Sequence, residues 1–329
     1  MSYKDELERW LSSPTIDEDS KSELRKITDE DEMKIRFSSY MSFGTGGLRA
    51  RMGAGTNMMN TYTVAHATEG VARLIDSLGR GAAERGVLIG RDSRNNSDVF
   101  ARRAAEVLSS HGIRVYIFDG IQPTPELSFG VRHLGCIAGI NITASHNPSA
   151  YNGYKLYWED GSQPTDEHAG LVSSYISGTD ILNDVPSPSS ARPELISEVG
   201  PELDRKFTEC VLGEAVYPDA VSRAADALKI VYTPLFGAGA RLVPDVLKKA
   251  GFLHIYTVDE EMVPDGNFPG LDKPNPEYPA SFRRGIEIAE RVGSDLIVAT
   301  DPDADRVGVM ARGKDGKFIP ITGNQMGSL

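Results

Sequence analysis

The chain of 329 residues carries 35 basic and 47 acidic residues, a net charge of −12, with 40% hydrophobic and 25% charged positions. Its length allows two or more packed cores, and the acidic excess disfavours nucleic acid or an anionic membrane as a partner. Its two cysteines, Cys136 and Cys210, frame no disulfide scaffold and fit a reducing cytoplasm, and neither a leader-like segment nor a spanning apolar run is present.

Residues 1 to about 40 are charged and helix-favouring, with a turn at Ser13-Pro14 and an acidic cluster at Asp29–Glu32, which predicts a pair of surface helices. In Phe43–Gly55, Gly44, Gly46, Gly47, Gly53 and Gly55 accompany Arg49 and Arg51, a composition that offers amides and guanidinium groups to an anion. A plain Gly-rich turn is the alternative. A dinucleotide fingerprint is excluded because Arg49 holds the place of its third Gly, and a Walker loop because no Gly-Lys-Ser/Thr follows.

Helical periodicity runs from Tyr62 to Leu78, then gives way to the short apolar strand Val87–Ile89, ending at Gly90-Arg91-Asp92-Ser93-Arg94. The next helix sets Phe100, Ala104, Val107 and Leu108 on one face. Strand Ile113–Phe118, helix Thr124–His133 and strand Cys136–Ile142 follow. Asp160-Gly161 reads as the turn of a hairpin, Pro186–Ser190 as loop and Pro201–Leu212 as helix, the region where a domain boundary falls. A second αβ unit has strand Leu228–Tyr232, helix Ala240–Ala250, strand Leu253–Val258, helix Ala280–Val292 and strand Asp295–Ala299. Alternating strands and helices predict the α/β class: two consecutive αβα-type domains with mixed, mostly parallel sheets, plus the start of a third. The boundaries are 1–206, 207–317 and a stub at 318–329.

Two stretches carry chemistry. Strand Cys136–Ile142 leads into Thr143-Ala144-Ser145-His146-Asn147-Pro148, where Pro148 ends strand pairing, so a hydroxyl arrives on a turn with His146 beside it and Lys155 ten residues on. Ligands of open α/β sheets bind at such strand ends, and Arg91 and Arg94 fall at the same edge. The competing reading is a polar turn that bonds its own backbone. A hydrolase elbow is excluded, because Thr143 and Asn147 stand where it needs Gly. The second stretch is Asp301-Pro302-Asp303-Ala304-Asp305-Arg306. Three alternating carboxylates after a strand suit Mg²⁺ or Mn²⁺, with an acidic surface turn as the rival. An EF-hand is excluded, because Arg306 and Arg312 occupy its Gly and Glu positions. Of the six histidines only His146 lies beside a candidate site, and none shows metal spacing.

Phe43–Arg49, Gly90–Arg94, Thr143–Pro148 with Tyr151–Lys155, Pro264–Pro269 with Pro274–Glu277, and Asp301–Arg306 together resemble the α-D-phosphohexomutase superfamily, in its phosphoglucomutase/phosphomannomutase branch. The resemblance covers nearly the whole chain in the family's order. It implies an isomerase of four domains around a cleft, which interconverts hexose 1- and 6-phosphates (glucose or mannose) through a phosphoserine and a bisphosphorylated sugar. By resemblance Ser145 is the phosphoserine, and with Asp301, Asp303 and Asp305 it holds one Mg²⁺. His146 and Lys155 assist proton transfer, Lys155 with a lowered pKa, while Arg49 faces the phosphoryl group. Thr45, Arg91, Arg94, Asn147 and Arg306 contact phosphate, and a hexose 1,6-bisphosphate serves as activator.

Two departures stand out. Ala50 replaces the family's usual Gly after the loop Arg, adding a methyl group to a close backbone approach. The chain ends at Leu329, which implies a part lacking domains III and IV and the residues that select gluco, manno or pento substrates, and not competent alone for full turnover. A non-catalytic phosphoprotein or binding module that retains the Ser145 and Mg²⁺ sites is the second hypothesis.

Overall fold

A computed structural model describes residues 2–328, which form two α/β units behind a small helical cap. The first sheet contains β1 (Leu48–Arg51), β2 (Val87–Arg91), β3 (Val115–Phe118), β4 (Ala138–Ile142), β5 (Tyr151–Trp158) and β6 (Ile196–Val199), in the order β1-β5-β4-β2-β3-β6. β4, β2, β3 and β6 run parallel, while β5 runs against both of its neighbours, β4 and β1. The alternation of a strand explains its two-sided core. Val87 and Ile89 join Ile140 and Ile142 under helices Thr61–Ser77 and Ser97–Ser110, whereas Leu88 packs with Leu127 and Val131 of helix Thr124–Leu134. Covered on both faces, β2 and β4 are apolar runs rather than alternating ones.

The second sheet contains β7 (Lys229–Thr233), β8 (His254–Thr257), β9 (Leu296–Thr300), β10 (Val307–Arg312) and β11 (Phe318–Ile321), in the order β11-β10-β9-β7-β8. β8, β7 and β9 are parallel, and β10 and β11 fold back antiparallel. Both sheets are mixed, as the α/β expectation requires. Among the described residues no helix is long and apolar enough to cross a membrane.

Two local expectations are corrected. Residues 2–40 contain three helices rather than two, Tyr3–Ser12, Glu18–Arg25 and Glu30–Phe37, and they are more than surface decoration. Trp10, Ile16, Leu24 and Phe37 build their own core with Ile181 and Leu182, and Trp10 meets Phe37 and Tyr62 edge-on at 5.5 and 5.4 Å. The Asp160-Gly161 turn leads into helix Asp166–Ser177, so no hairpin forms there; the antiparallel pair is β4 with β5, across the Ser145 loop. The boundary expected at 206/207 falls inside helix Pro201–Gly213, which packs on helices of both units. The boundary expected at 317/318 falls at the start of β11, which pairs with β10 and sets Phe318 under the Arg312 guanidinium at 4.4 Å.

Within the Gly-rich stretch, one glycine answers a close backbone approach. Gly47 has φ +76°, and a Cβ there would lie 2.0 Å from the Tyr154 carbonyl oxygen, so only glycine lets β1 settle beside β5. Ala50 pairs with Asn152 in regular antiparallel register and packs its methyl on the core, so the departure from glycine leaves the strand undistorted.

On the outer helices, His111 bridges two carboxylates, with Nδ1 2.6 Å from Asp76 and Nε2 2.8 Å from Glu69. Both ring nitrogens can donate only in the imidazolium form, and Glu69, opposing burial, raises the His111 pKa. The Glu69 carboxylate is held low by His111 and Arg73 against its own burial. The clamp's stabilisation is therefore complete below the ordinary histidine pKa and lost as pH rises through the raised value. His111→Gln should cost roughly 1–3 kcal/mol at pH 6. The difference from wild type should shrink steadily toward pH 9 in denaturant titrations.

Candidate functional site

β4 ends at Ile142, and the chain turns through Ser145 in the left-handed region, φ +53°. Thr143 holds that turn: its Oγ1 accepts the Ser145 N–H at 2.8 Å and donates to Asp92 Oδ2 at 2.6 Å. Asp92 follows β2 and also receives the Arg94 N–H and the Ser97 hydroxyl. Arg94 fixes the remainder of the loop. Its guanidinium donates to the carbonyls of Ser145, Asn147, Pro148 and Tyr151 at 2.5–2.9 Å and ion-pairs with Asp92 at 3.3 Å, with no side-chain exposure.

That geometry corrects one assignment. Arg94 does not present its guanidinium to phosphate, because all of its reach is spent on loop carbonyls and Asp92. Arg94→Lys leaves most of these acceptors without a donor and should lower unfolding free energy by roughly 3–5 kcal/mol, measured by denaturant titration. A phosphate-contacting arginine would instead lose anion affinity with stability intact.

The second unit brings its acidic loop to the same place. β9 and β10 are joined by Asp301–Arg306, with Ala304 at φ +52°. The Ser145 hydroxyl donates to Asp301 Oδ2 at 2.8 Å and lies 3.2 Å from His146 Nδ1. The Lys155 ammonium donates to Asp303 at 2.7 Å and Asp305 at 3.0 Å. Asp301 Oδ1 accepts the Arg306 N–H, and the Arg306 guanidinium contacts Glu277 at 3.4 Å. Arg49, exposed on β1, donates to Asn147 Oδ1 at 3.1 Å. Thr45 sits at the exposed tip of the Gly44–Gly47 turn and Arg91 at the end of β2, and neither side chain hydrogen-bonds to this cluster. The seam is tight elsewhere too: a Cβ on Gly266 of the second unit would lie 2.3 Å from the Asn95 backbone nitrogen of the first. The Arg241–Asp204 ion pair also spans the units, and buried Glu126 is pushed up to about 9 by desolvation and the Asp204 carboxylate.

The electrostatics follow from burial. Asp301 and Asp303 are fully buried, and Asp301 is raised well above the carboxylate range by desolvation and then by Asp303 and Asp305. Asp303 is desolvated as well, but Lys155 pulls it below its ordinary value. The expected lowering of Lys155 is reversed: burial alone would depress it, and the Asp303 and Asp305 carboxylates more than compensate. His146 is lowered by desolvation and by the positive Arg306 and Arg49. One oxygen from each of Asp301, Asp303 and Asp305 lies within 4.8 Å of the others, and Asp303 Oδ1 is buried without a hydrogen-bond partner. A hard dication with oxygen ligands fits such a donor set, since it would neutralise the crowded carboxylates and occupy the orphaned oxygen.

Sequence reasoning missed Asp92, Thr143, Thr124 and Asn141. Asn141 left a signal, as the one polar side chain in the fully buried β4.

The fold and site define a class first: a two-sheet α/β protein whose serine loop and carboxylate loop meet at the seam between the sheets. Comparison with known proteins supplies the family. The model for phosphoglucomutase/phosphomannomutase alpha/beta/alpha domain I matches residues 40–180, and that for domain II matches residues 206–314. A phosphoglucomutase of Staphylococcus epidermidis is 35% identical over 323 residues, 97% of this chain and 57% of that protein. One from Staphylococcus aureus is 35% identical over 305 residues, 91% and 53% respectively. Among solved structures, a proposed phosphomannomutase from Thermus thermophilus superposes with a TM-score of 0.68 at 28% identity, covering 85% of this chain and 58% of that one. A phosphoglucomutase/phosphomannomutase family protein from Burkholderia thailandensis shares the fold, with a TM-score of 0.64 at 21% identity over 84% and 56%. The chain belongs to the phosphoglucomutase/phosphomannomutase branch of the α-D-phosphohexomutase superfamily. It spans little more than half the length of the curated relatives it matches.

Proposed function

We propose that this chain forms the phosphoryl-transfer half of a Mg²⁺-dependent phosphohexomutase that interconverts the 1- and 6-phosphates of glucose or mannose. The observation that carries the reading is the 2.8 Å contact between Ser145 Oγ and Asp301, which joins a strand-end hydroxyl to a buried carboxylate cluster 156 residues away. Phosphoryl transfer depends on positioning and charge neutralisation more than on covalent chemistry by the protein, and this seam supplies both. Phosphorylated Ser145 would give its phosphoryl group to a sugar hydroxyl: the Oγ–P bond breaks, a sugar O–P bond forms, and the sugar hydroxyl proton passes to the freed Ser145 Oγ to restore the serine hydroxyl. The reverse step, from the other phosphate of a hexose 1,6-bisphosphate, restores the phosphoserine.

Asp301, Asp303 and Asp305, with Ser145, would hold Mg²⁺, which when bound supplies charge neutralisation to the phosphoryl oxygens. His146 Nδ1 is the nearest ring nitrogen to the hydroxyl and is positioned to handle its proton, together with Lys155. Arg49, steadied by Asn147, and Arg306, against Glu277, are cationic side chains free to turn toward an incoming phosphate. Thr45 and Arg91 are assigned to the same anion by family resemblance.

Incubation with glucose 1,6-bisphosphate and Mg²⁺ should phosphorylate Ser145, mapped by mass spectrometry and absent in Ser145→Ala. A label on another serine that persists in Ser145→Ala would overturn the assignment. Asp303→Asn should weaken Mg²⁺ binding about tenfold or more, or roughly 1.4 kcal/mol, by calorimetric titration with the protein still folded.

A further inference from the structure

One side chain outside the serine and carboxylate loops is bound to both units. Thr124 opens helix Thr124–Leu134, which covers the first sheet. Its backbone N–H donates to the Asp303 carbonyl at 2.7 Å, and its hydroxyl donates to Asp303 Oδ2 at 2.9 Å. The same hydroxyl accepts from Asn141 Nδ2 at 2.7 Å. A threonine hydroxyl has one proton, and an ionised carboxylate can only accept. Asn141 therefore fixes the hydroxyl by donating to it, and the proton is committed to Asp303. Asn141 and Lys155 are cross-strand partners on β4 and β5, so adjacent positions of one ladder supply the group that orients Thr124 and the ammonium that binds Asp303. Together Thr124 and Lys155 saturate Oδ2, and Oδ1 is the oxygen left bare.

We infer that Thr124 is a positioning residue for the metal ligand Asp303: it locks the carboxylate's rotation so that Oδ1 is kept for the cation, with Asn141 setting the direction of its hydroxyl proton. The inference rests on the Mg²⁺ reading above and extends it to a residue 179 positions from its target. Outer hydrogen bonds of this kind are worth roughly 10–100-fold in metal affinity. Thr124 acts on Asp303 and need not touch substrate.

The test compares Thr124→Val, which keeps the shape but removes the donor, with Thr124→Ser, which keeps the donor. Calorimetric titration with MgCl₂ should show about tenfold or greater loss for Thr124→Val, with Thr124→Ser within a few-fold of wild type. In the metal-free protein, hydrogen exchange of the 301–306 backbone should accelerate in Thr124→Val and stay near wild type in Thr124→Ser. Should Thr124→Val fail to fold, Asn141→Ala, with Thr124 in place, should show the same direction in both measurements. Equal Mg²⁺ affinity and exchange in Thr124→Val and wild type would overturn the inference, and so would a Thr124→Ser protein as impaired as Thr124→Val. Absence of Mg²⁺ binding in wild type would overturn the metal reading instead, and the exchange comparison would still decide whether Thr124 holds Asp303.

Discussion

The structure depends on one buried ion pair, Lys155 with Asp303, in which a charge on the first sheet meets a charge on the loop of the second. Taking two ions out of water costs several kcal/mol each, and apolar replacements commonly match or exceed the stability of such a pair. Its physical justification is therefore geometric. With Asp303 fully buried, its charge is tolerable only where Lys155 and Thr124 meet it. The second unit can dock in the orientation that makes those contacts and in few others. Gly266 against Asn95 is consistent with a single docking arrangement, because that approach leaves no room for a side chain between the units.

The serine loop is prepared differently. Ser145 occupies a left-handed conformation that a serine adopts at some cost, and the loop is held there from beneath by Asp92, Thr143 and Arg94. Arg94 collects four carbonyls that a loop of this length cannot pair within itself. This satisfies the rule that buried backbone acceptors need donors, and it fixes the hydroxyl before any ligand arrives. The carboxylate loop, in contrast, contains an oxygen without a partner and an acid raised by burial and then by its neighbours. One half of the site is internally complete, and the other is complete only with an added charge.

Much of this was legible in the sequence where burial leaves a local pattern. The strands β2 and β4 are short apolar runs because helices cover them on both sides, and the serine loop follows one of those runs. The edge strands were less visible. β6, Ile196-Ser197-Glu198-Val199, is half solvated, and β11 contains Pro320, which an edge tolerates and a central strand does not. The N-terminal helices hid their core because Trp10, Leu24 and Phe37 come from three separate short helices, and they converge with Ile181 and Leu182 only in three dimensions. Arg94 could not be separated from Arg49 or Arg91 by composition, since the acceptors that claim it lie more than 50 residues along the chain. The Thr124–Asp303 contact leaves no local trace of any kind.

Because the carboxylate loop is held by the first unit, site assembly and docking of the two units are thermodynamically one event. Separating the sheets would return Asp301 and Asp303 to water, where both ionise freely and repel less. Bringing them together buries that charge against Lys155 and raises Asp301. A dication held by the three carboxylates would favour the docked arrangement by its full preference for that arrangement, about 2.7 kcal/mol at a hundredfold excess over its dissociation constant. By reciprocity, any contact that favours docking must tighten the metal by the same factor. Seam contacts remote from the reacting atoms, such as Arg241 with Asp204, thus act on the site through the same equilibrium as Thr124. They differ in that Thr124 also sets which oxygen of Asp303 is free.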